Sequence, residues 1–388
     1  MLEKIKTYLL CTLMCGAFFE NQIHIFFYIS ISYLIISVFS SQNFNYKWSA
    51  INQSWLILYA FVMLITFLYS ADQITEIPFK WGNAILCFLC CDKDLRNHPK
   101  MLLPILVSMV IISFVCCVMI QMGIGIGTDD EGLELGEFRL SFFGANENKL
   151  SITFCYAIAC ALYLIFITLQ NQTMHKIKKI AVLVGCATII VADMLAMIYT
   201  GSRGGALAAV LCVCVFAYYT RSYLRSTYVR WVVILALCFV SYKGYEVIQN
   251  TPMFMERIEA TEKGDYGGRD VLMRLAIDYF FESPIWGTGL YGFIDYSQSV
   301  RGLRQSPHNL FLWILDAGGL IGISLLLNII FRVARYVWKY KNLLALLVFG
   351  IFILDSLKNG AALTSKINYL FLAVALSVSY NQYKGVKL

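Results

Sequence analysis

Long apolar runs, separated by short polar segments, extend along nearly the whole chain. A membrane-spanning helix needs about 20 predominantly apolar residues, and about twelve runs approach that length. Within these runs apolar and polar residues do not alternate, as they would in the strands of a membrane barrel. The predicted spans lie near 7–19, 23–40, 52–70, 75–91, 101–122, 149–169, 180–199, 204–219, 231–248, 309–331, 343–357 and 364–380. The pattern therefore predicts an all-α polytopic membrane protein with about 12 transmembrane helices.

Composition and charge agree with this prediction. The chain has 388 residues, of which 59% are hydrophobic and only 14% are charged. These values exclude a soluble enzyme, a secreted disulfide scaffold and a disordered protein. The net charge of +7 could suggest a nucleic-acid partner, but the basic residues lie mostly in short loops between apolar runs. There they act as topology signals, so no nucleic acid is expected as a partner.

The distribution of lysine and arginine predicts the topology. If both termini are cytoplasmic, the segments on that side collect most basic residues, and the short outer loops after spans one and three contain none. We therefore expect a multi-pass membrane protein with both termini in the cytoplasm. It divides into N-terminal transmembrane helices (1–122), an acidic outer loop (123–148), central transmembrane helices with a tight turn (149–248), a large extracytoplasmic loop (249–308) and C-terminal transmembrane helices (309–388).

The large outer loop contains a predicted amphipathic helix at 269–282. Its polar residues recur every four positions and form one stripe: Asp270, Arg274, Asp278 and Glu282. The other positions are mostly apolar, which suits a helix lying along the outer membrane surface. Arg274 is expected to pair locally with the aspartates at i±4. Arg269 lies off the stripe at the helix start, where a cation disfavours the helix but attracts an anion.

Two more polar segments are predicted on the same side of the membrane. The turn Thr200–Gly205 (TGSRGG) has glycines that let a backbone approach a ligand closely, and no acidic residue lies near Arg203 in sequence. An arginine that snorkels to the interface is the alternative reading. Arg139 precedes a span, with Asn146 and Asn148 as neutral groups suited to sugar hydroxyls.

The third segment is Ser306-Pro307-His308-Asn309, at the outer end of the tenth span. Ser306 can serve as N-cap and Pro307 as the first helical residue, which would put His308 in the first turn. The helix dipole would then favour the neutral base form of His308. A structural role for this histidine remains an alternative.

Three further sequence features resemble known functional motifs or occupy unusual positions. Gly287, Gly289 and Gly292 spell GxGxxG but lack the βαβ context of a dinucleotide site, so a loop re-entering the membrane is expected. The pair Asp129-Asp130 is read as part of a solvated acidic loop rather than a metal site. Asp193 and Asp316 lie within predicted spans and are functional candidates on that ground.

Taken together, several segments resemble the O-antigen ligase and polymerase superfamily of bacterial envelopes. The resemblance is most specific over about 139–325. The residues that carry it are Arg139 with GANEN, the TGSRGG turn, GGRDVLMRLAIDYFFESPIWGTGLYGF and SPHNLFLWILDAGGLIG. It implies a metal-independent, inverting glycosyltransferase with a helical membrane fold of the GT-C kind and no cofactor. The resemblance also implies a protein of the bacterial inner membrane, whose donor would be a glycan carried by undecaprenyl diphosphate at the outer face of that membrane.

The resemblance also implies roles for individual residues. Arg203 and Arg269 match the loop arginines of the family, and His308 matches its essential histidine, so these three are the predicted catalytic residues. The predicted substrate-binding residues are Arg139, Asn148, Arg274 and Asn309. No residue is predicted to bind a metal.

The acceptor distinguishes two activities of the family. A polymerase joins repeat units of O-antigen or of capsular or exopolysaccharide to one another, whereas a ligase transfers the glycan to lipid A core. We favour polymerase narrowly, with a chain-length regulator as a candidate partner. A flippase for lipid-linked oligosaccharides, or another secondary transporter, is the alternative from a different class. Transporters commonly show repeated halves with a site at the membrane midplane, and no such repeat is visible here.

Overall fold

The computed structural model describes residues 2–19, 25–40, 49–70, 76–128, 140–143, 146–221 and 268–385. Within these ranges the fold is helical apart from one two-stranded ribbon. The helices are α1 (Leu2–Cys15), α2 (Ile25–Phe39), α3 (Ala50–Ser70), α4 (Glu76–Asn97), α5 (Leu102–Gln121), α6 (Glu147–Gln170), α7 (Lys176–Tyr199), α8 (Arg203–Thr220), α9 (Arg269–Phe280), α10 (Gly292–Arg301), α11 (Leu310–Tyr340), α12 (Leu343–Lys358) and α13 (Lys366–Tyr383). Short 3₁₀ turns occur at Gly16–Phe18, Pro99–Met101 and Gly360–Leu363. Strands β1 (Ile126–Thr128) and β2 (Leu140–Phe142) pair antiparallel, with Ile126 opposite Phe142.

The predicted all-α membrane architecture is confirmed. Every predicted span except the ninth overlaps a helix, and the ninth, at 231–248, lies outside the described residues. By length and composition, six helices of the described part are able to cross a membrane: Ala50–Ser70, Pro99–Gln121, Glu147–Gln170, Lys176–Tyr199, Arg203–Thr220 and Leu310–Tyr340. The total of about twelve spans stays a prediction.

The centre of the bundle is formed by α6 and α13, which are buried on nearly all sides. Helices that are apolar around their whole circumference are expected in such a position. Tyr156 of α6 stacks on Phe371 of α13, with ring centroids 4.3 Å apart. The Tyr156 hydroxyl donates to Asn368 Oδ1 at 3.0 Å, which satisfies both buried groups. By contrast, only 28% of the most apolar 18-residue stretch is buried in each of α7 and α8, so their outward apolar surfaces suit contact with lipid.

The ends of the helices form two groups. At one end, which the charge distribution predicts to be cytoplasmic, Lys6 pairs with Asp94 and Arg96 lies over the ring of Tyr380. At the opposite end, Ser202 contacts Asn148 and the loop before α10 contacts α3. Helix ends that the positive-inside rule assigns to one side therefore do meet in the fold. Which of the two ends faces the cytoplasm remains a prediction.

Helix α11 is broken at Gly319, which the apolar pattern did not indicate. Gly319 has φ 60° and ψ −157°, a conformation outside the helical region. The loop before α10 replaces the lost helical hydrogen bonds, because Leu320 N donates to Pro284 O at 2.8 Å and Gly289 N donates to Ala317 O at 3.0 Å. A Cβ at Gly287 would lie 2.5 Å from the backbone of Ala317. Gly287 and Gly289 of the GxGxxG sequence thus serve close backbone packing, and entry of this loop into the membrane stays a prediction.

Candidate functional site

The start of α8 holds Asn148 and Arg203 close together. Gly201, with φ +64°, turns the chain after α7. Ser202 then caps α8 by accepting from Gly205 N at 3.4 Å, and its hydroxyl donates to Asn148 Oδ1 at 3.2 Å. Asn148 itself lies in the first turn of α6, which Asn146 caps. Two predicted site residues from segments far apart in sequence are therefore neighbours across this turn.

Two glycines of the TGSRGG turn, Gly204 and Gly205, lie close to side chains of neighbouring helices. A Cβ at Gly205 would lie 1.5 Å from Ser151 Oγ, and a Cβ at Gly204 would lie 2.5 Å from Lys358 Nζ. Ser151 restricts position 205 to glycine, because its Cβ cannot move without the backbone of α6, whereas a side chain at position 204 would displace the flexible end of Lys358. The expected close approach of this turn to a ligand stays a prediction.

The segment before α11 differs from its predicted geometry. Asn309, not Ser306, is the N-cap: its Oδ1 accepts from Phe311 N at 2.9 Å and Leu312 N at 3.2 Å. His308 therefore precedes the helix and adopts a left-handed conformation with φ +50°. The prediction that His308 lies in the first helical turn is wrong. The physical reason is that the Asn309 amide, unlike the Ser306 hydroxyl, also reaches α12, where Nδ2 donates to Leu357 O at 2.9 Å.

The chain after α12 lies directly beside His308. A Cβ at Gly360 would lie 3.2 Å from His308 N and 2.5 Å from Ser306 Oγ. Leu357, which accepts the hydrogen bond from Asn309, lies at the end of α12, three residues before Gly360. The end of α12 therefore anchors the whole His308 segment, and His308 itself is half-buried.

Arg269 opens helix α9, as predicted, and the helix ends at Phe280 rather than Glu282. Gly268, with φ +69°, is the N-cap and has no side chain to satisfy the first amides. Leu272 and Ala276 pack on Phe293, so α9 is held against α10. Val271 and Ile277 of the helix and the adjacent Phe281 stay exposed, which suits the predicted position along a membrane surface.

Arg274 does not make the ion pairs expected of it. It is exposed, and within the described part of the chain it forms no salt bridge with Asp270 or Asp278. Solvent-exposed pairs at this spacing contribute only about 0.3–0.5 kcal/mol, too little to hold two flexible side chains in contact. The predicted local pairing is therefore wrong, and the substrate-binding role of Arg274 stays a prediction.

Lys358, the last residue of α12, is a cation of this site that the sequence reasoning missed. Its side chain lies across Gly204, and the charge of Arg269 acts on its ammonium group. Lys358 therefore contacts the Arg203 turn and lies within electrostatic range of the start of α9. A signal was available in the sequence, because a lysine at the outer end of a predicted span opposes the positive-inside tendency.

The predicted site residues thus divide by position. Arg203, Arg269, His308, Asn148 and Asn309 are all at the same end of the bundle, and Arg139 lies outside the described residues. The two intramembrane acids are elsewhere. Asp193 accepts from Ser113 and Cys117, whereas the carboxylate oxygens of Asp316 are buried and find no hydrogen-bond partner in the described part of the chain.

Comparison with known proteins adds an independent observation. Residues 186–327 match the family model described as O-antigen ligase. The resemblance to the O-antigen ligase and polymerase superfamily is confirmed. A search of curated proteins finds no match to the chain. The matched segment includes Arg203, Arg269 and His308, while Asn148 and Lys358 lie outside it. The match supports a multi-pass inner-membrane enzyme of the O-antigen ligase and polymerase type.

Proposed function

We propose that this protein is a glycosyltransferase that polymerises undecaprenyl-diphosphate-linked repeat units at the outer face of the inner membrane. The observation that carries the proposal is the convergence, at one end of the bundle, of the Arg203 turn, Arg269 and His308, all within the segment matched to the O-antigen ligases. In this proposal both termini are cytoplasmic, no metal takes part, and the anomeric centre is inverted.

The arginines would stabilise the leaving group. As the bond between the anomeric carbon and the phosphate oxygen breaks, its electron pair stays on the lipid diphosphate. Guanidinium groups bind such oxygens in a bidentate manner and remain protonated at any physiological pH. One preorganised donor of this kind contributes about 3–4 kcal/mol at the transition state. Arg203 and Arg269 supply that charge on our proposal.

His308 would act as the general base. The acceptor hydroxyl oxygen attacks the anomeric carbon from the side opposite the diphosphate, and its proton passes to the imidazole. Such proton transfer contributes about 10²–10⁴ in rate. The left-handed backbone of His308 costs about 1–2 kcal/mol, which is a strain often found at functional positions. The Asn309 cap and the adjacent Gly360 would keep the imidazole in one place.

The roles of the arginines are tested by Arg269→Lys. This change keeps the charge but removes the bidentate geometry, so we expect about 10²–10³-fold lower glycan transfer with normal membrane insertion. Arg304→Lys is a matched control, since Arg304 is exposed and pairs with Asp295. Wild-type turnover by Arg269→Lys would contradict the proposed role.

The acceptor is tested by deleting the gene in its host and separating the surface glycans on a gel. A polymerase leaves single repeat units on the acceptor and no ladder after its deletion, which is the result we expect. Complete polymers retained on undecaprenyl diphosphate would instead indicate a ligase acting on lipid A core. Flux of lipid-linked oligosaccharide without glycan transfer by the purified protein would favour a transporter.

A further inference from the structure

The ammonium group of Lys358 is buried and has no hydrogen-bond partner within the described part of the chain. The residue as a whole is half-buried. A buried ammonium group without hydrogen bonds is costly, because it gives up the hydrogen bonds of its hydration shell and makes none within the protein. Such a group calls for a physical explanation, and a bound anion would supply one.

The nearest acid provides only part of that explanation: Asp355 is the strongest charge acting on Lys358, yet it forms no hydrogen bond with Nζ within the described part of the chain. Asp355 lies one helical turn before Lys358, but its two carboxylate oxygens accept hydrogen bonds from Asn359 Nδ2 at 3.3 Å and Asn368 Nδ2 at 2.7 Å. Asn368 is fixed in turn by the Tyr156 hydroxyl. The carboxylate is therefore oriented by amides, and the lysine extends past it towards the TGSRGG turn.

A like charge makes the position of Lys358 still less favourable. Arg269 repels the ammonium group, although less strongly than Asp355 attracts it, and Arg203 adjoins the glycine on which the lysine lies. Cations gathered in one partly buried space destabilise the empty protein and favour an anion that bears more than one negative charge. A diphosphate is such an anion.

We propose that Lys358 binds the diphosphate of the lipid-linked donor as a third cation beside Arg203 and Arg269. This inference rests on the proposed function and extends its binding site to α12, beyond the segment matched to the O-antigen ligases. Gly204 belongs to the same arrangement, because any side chain at this position would displace the lysine ammonium. Lys358 would then bind the diphosphate while the C-terminal end of α12 positions the His308 segment, so that one helix end would fix both groups relative to each other.

The test measures binding of undecaprenyl diphosphate to the full-length protein in nanodiscs that also contain phosphatidylglycerol. Lys358→Met removes the charge at similar volume, and we expect about 10–100-fold weaker binding, the range for loss of a charge-assisted hydrogen bond. Lys358→Arg should retain most of the affinity. Because a repelled, buried cation is removed, the melting temperature of Lys358→Met without ligand should equal or exceed that of the wild type.

Two further variants sharpen the result. Lys80→Met is the matched control, since Lys80 lies at the same predicted outer end, is exposed and pairs with Glu76; its affinity should be unchanged. Gly204→Ala should weaken binding, and adding Lys358→Met to it should weaken binding little more, because both changes remove the same ammonium group from the site.

The outcomes separate this inference from the proposed function. If Arg203→Met and Arg269→Met weaken binding while Lys358→Met binds like the wild type, the inference is wrong and the proposed function stands. If the wild type itself does not bind undecaprenyl diphosphate, the proposed function fails. A third outcome is that phosphatidylglycerol without undecaprenyl diphosphate raises the melting temperature of the wild type but not that of Lys358→Met. In that case the site holds a phospholipid headgroup, and the assignment to the donor is overturned.

Discussion

The contact between α6 and α8 depends on the absence of a side chain at position 205. A Cβ at Gly205 would lie 1.5 Å from Ser151 Oγ and 2.8 Å from Ser151 Cβ. The hydroxyl can rotate away at little cost, because it makes no hydrogen bond in the described part of the chain. The Cβ cannot move without the backbone of α6, so Gly205→Ala must push the two helices apart.

The structure gives the size of this effect. Carbon atoms pack at about 3.5 Å or more, so the 2.8 Å separation requires a local shift of about 0.7 Å. Overpacking of this kind costs about 1–3 kcal/mol, and alanine returns up to about 1 kcal/mol of helix propensity. We expect Gly205→Ala to lower the free energy of unfolding by about 1–2 kcal/mol. It should also lower glycan transfer, since Arg203 and the Ser202–Asn148 contact belong to the displaced turn.

The assay is thermal unfolding of the purified protein in one detergent, combined with a double-mutant cycle. Ser151→Gly removes the clashing Cβ, so the pair Ser151→Gly/Gly205→Ala should be more stable than the sum of the single changes predicts. Gly185→Ala in α7 is the control, because a Cβ there meets no atom within 4 Å. Equal stability of Gly205→Ala and Gly185→Ala, or additivity in the cycle, would refute the packing argument.

Three other changes have defined outcomes in the same unfolding assay. Lys6→Met should cost about 3–5 kcal/mol, because it leaves buried Asp94 without its cation at 2.8 Å, and Lys6→Met/Asp94→Leu should recover part of that loss. Gly319→Ala should cost more than about 2 kcal/mol, since a Cβ there would lie 2.4 Å from the Ile285 backbone and φ is +60°. Asn309→Ala should cost about 1 kcal/mol through the lost cap. Stabilities within 0.5 kcal/mol of the wild type would count against each account.

The candidate site was only partly accessible to sequence reasoning. Arg203 and Arg269 could be proposed from sequence, because an arginine beside glycines at a helix start has an identifiable local environment. The position of His308 was misjudged, since the choice between Ser306 and Asn309 as N-cap depends on a contact with Leu357 in the next helix. Lys358 was missed for the same reason: its neighbours Gly204 and Arg269 are distant in sequence.

The sequence by itself determined that the chain forms apolar membrane helices, roughly where they begin and end, and which helix ends lie on the same side. These properties follow from transfer free energies and charge placement, which add up locally along the chain. Only the tertiary structure decided that α11 breaks at Gly319, that His308 adopts a left-handed backbone and that Lys358 lies across the Arg203 turn. Each depends on how helices pack against one another, where a shift of less than 1 Å decides which side chains meet.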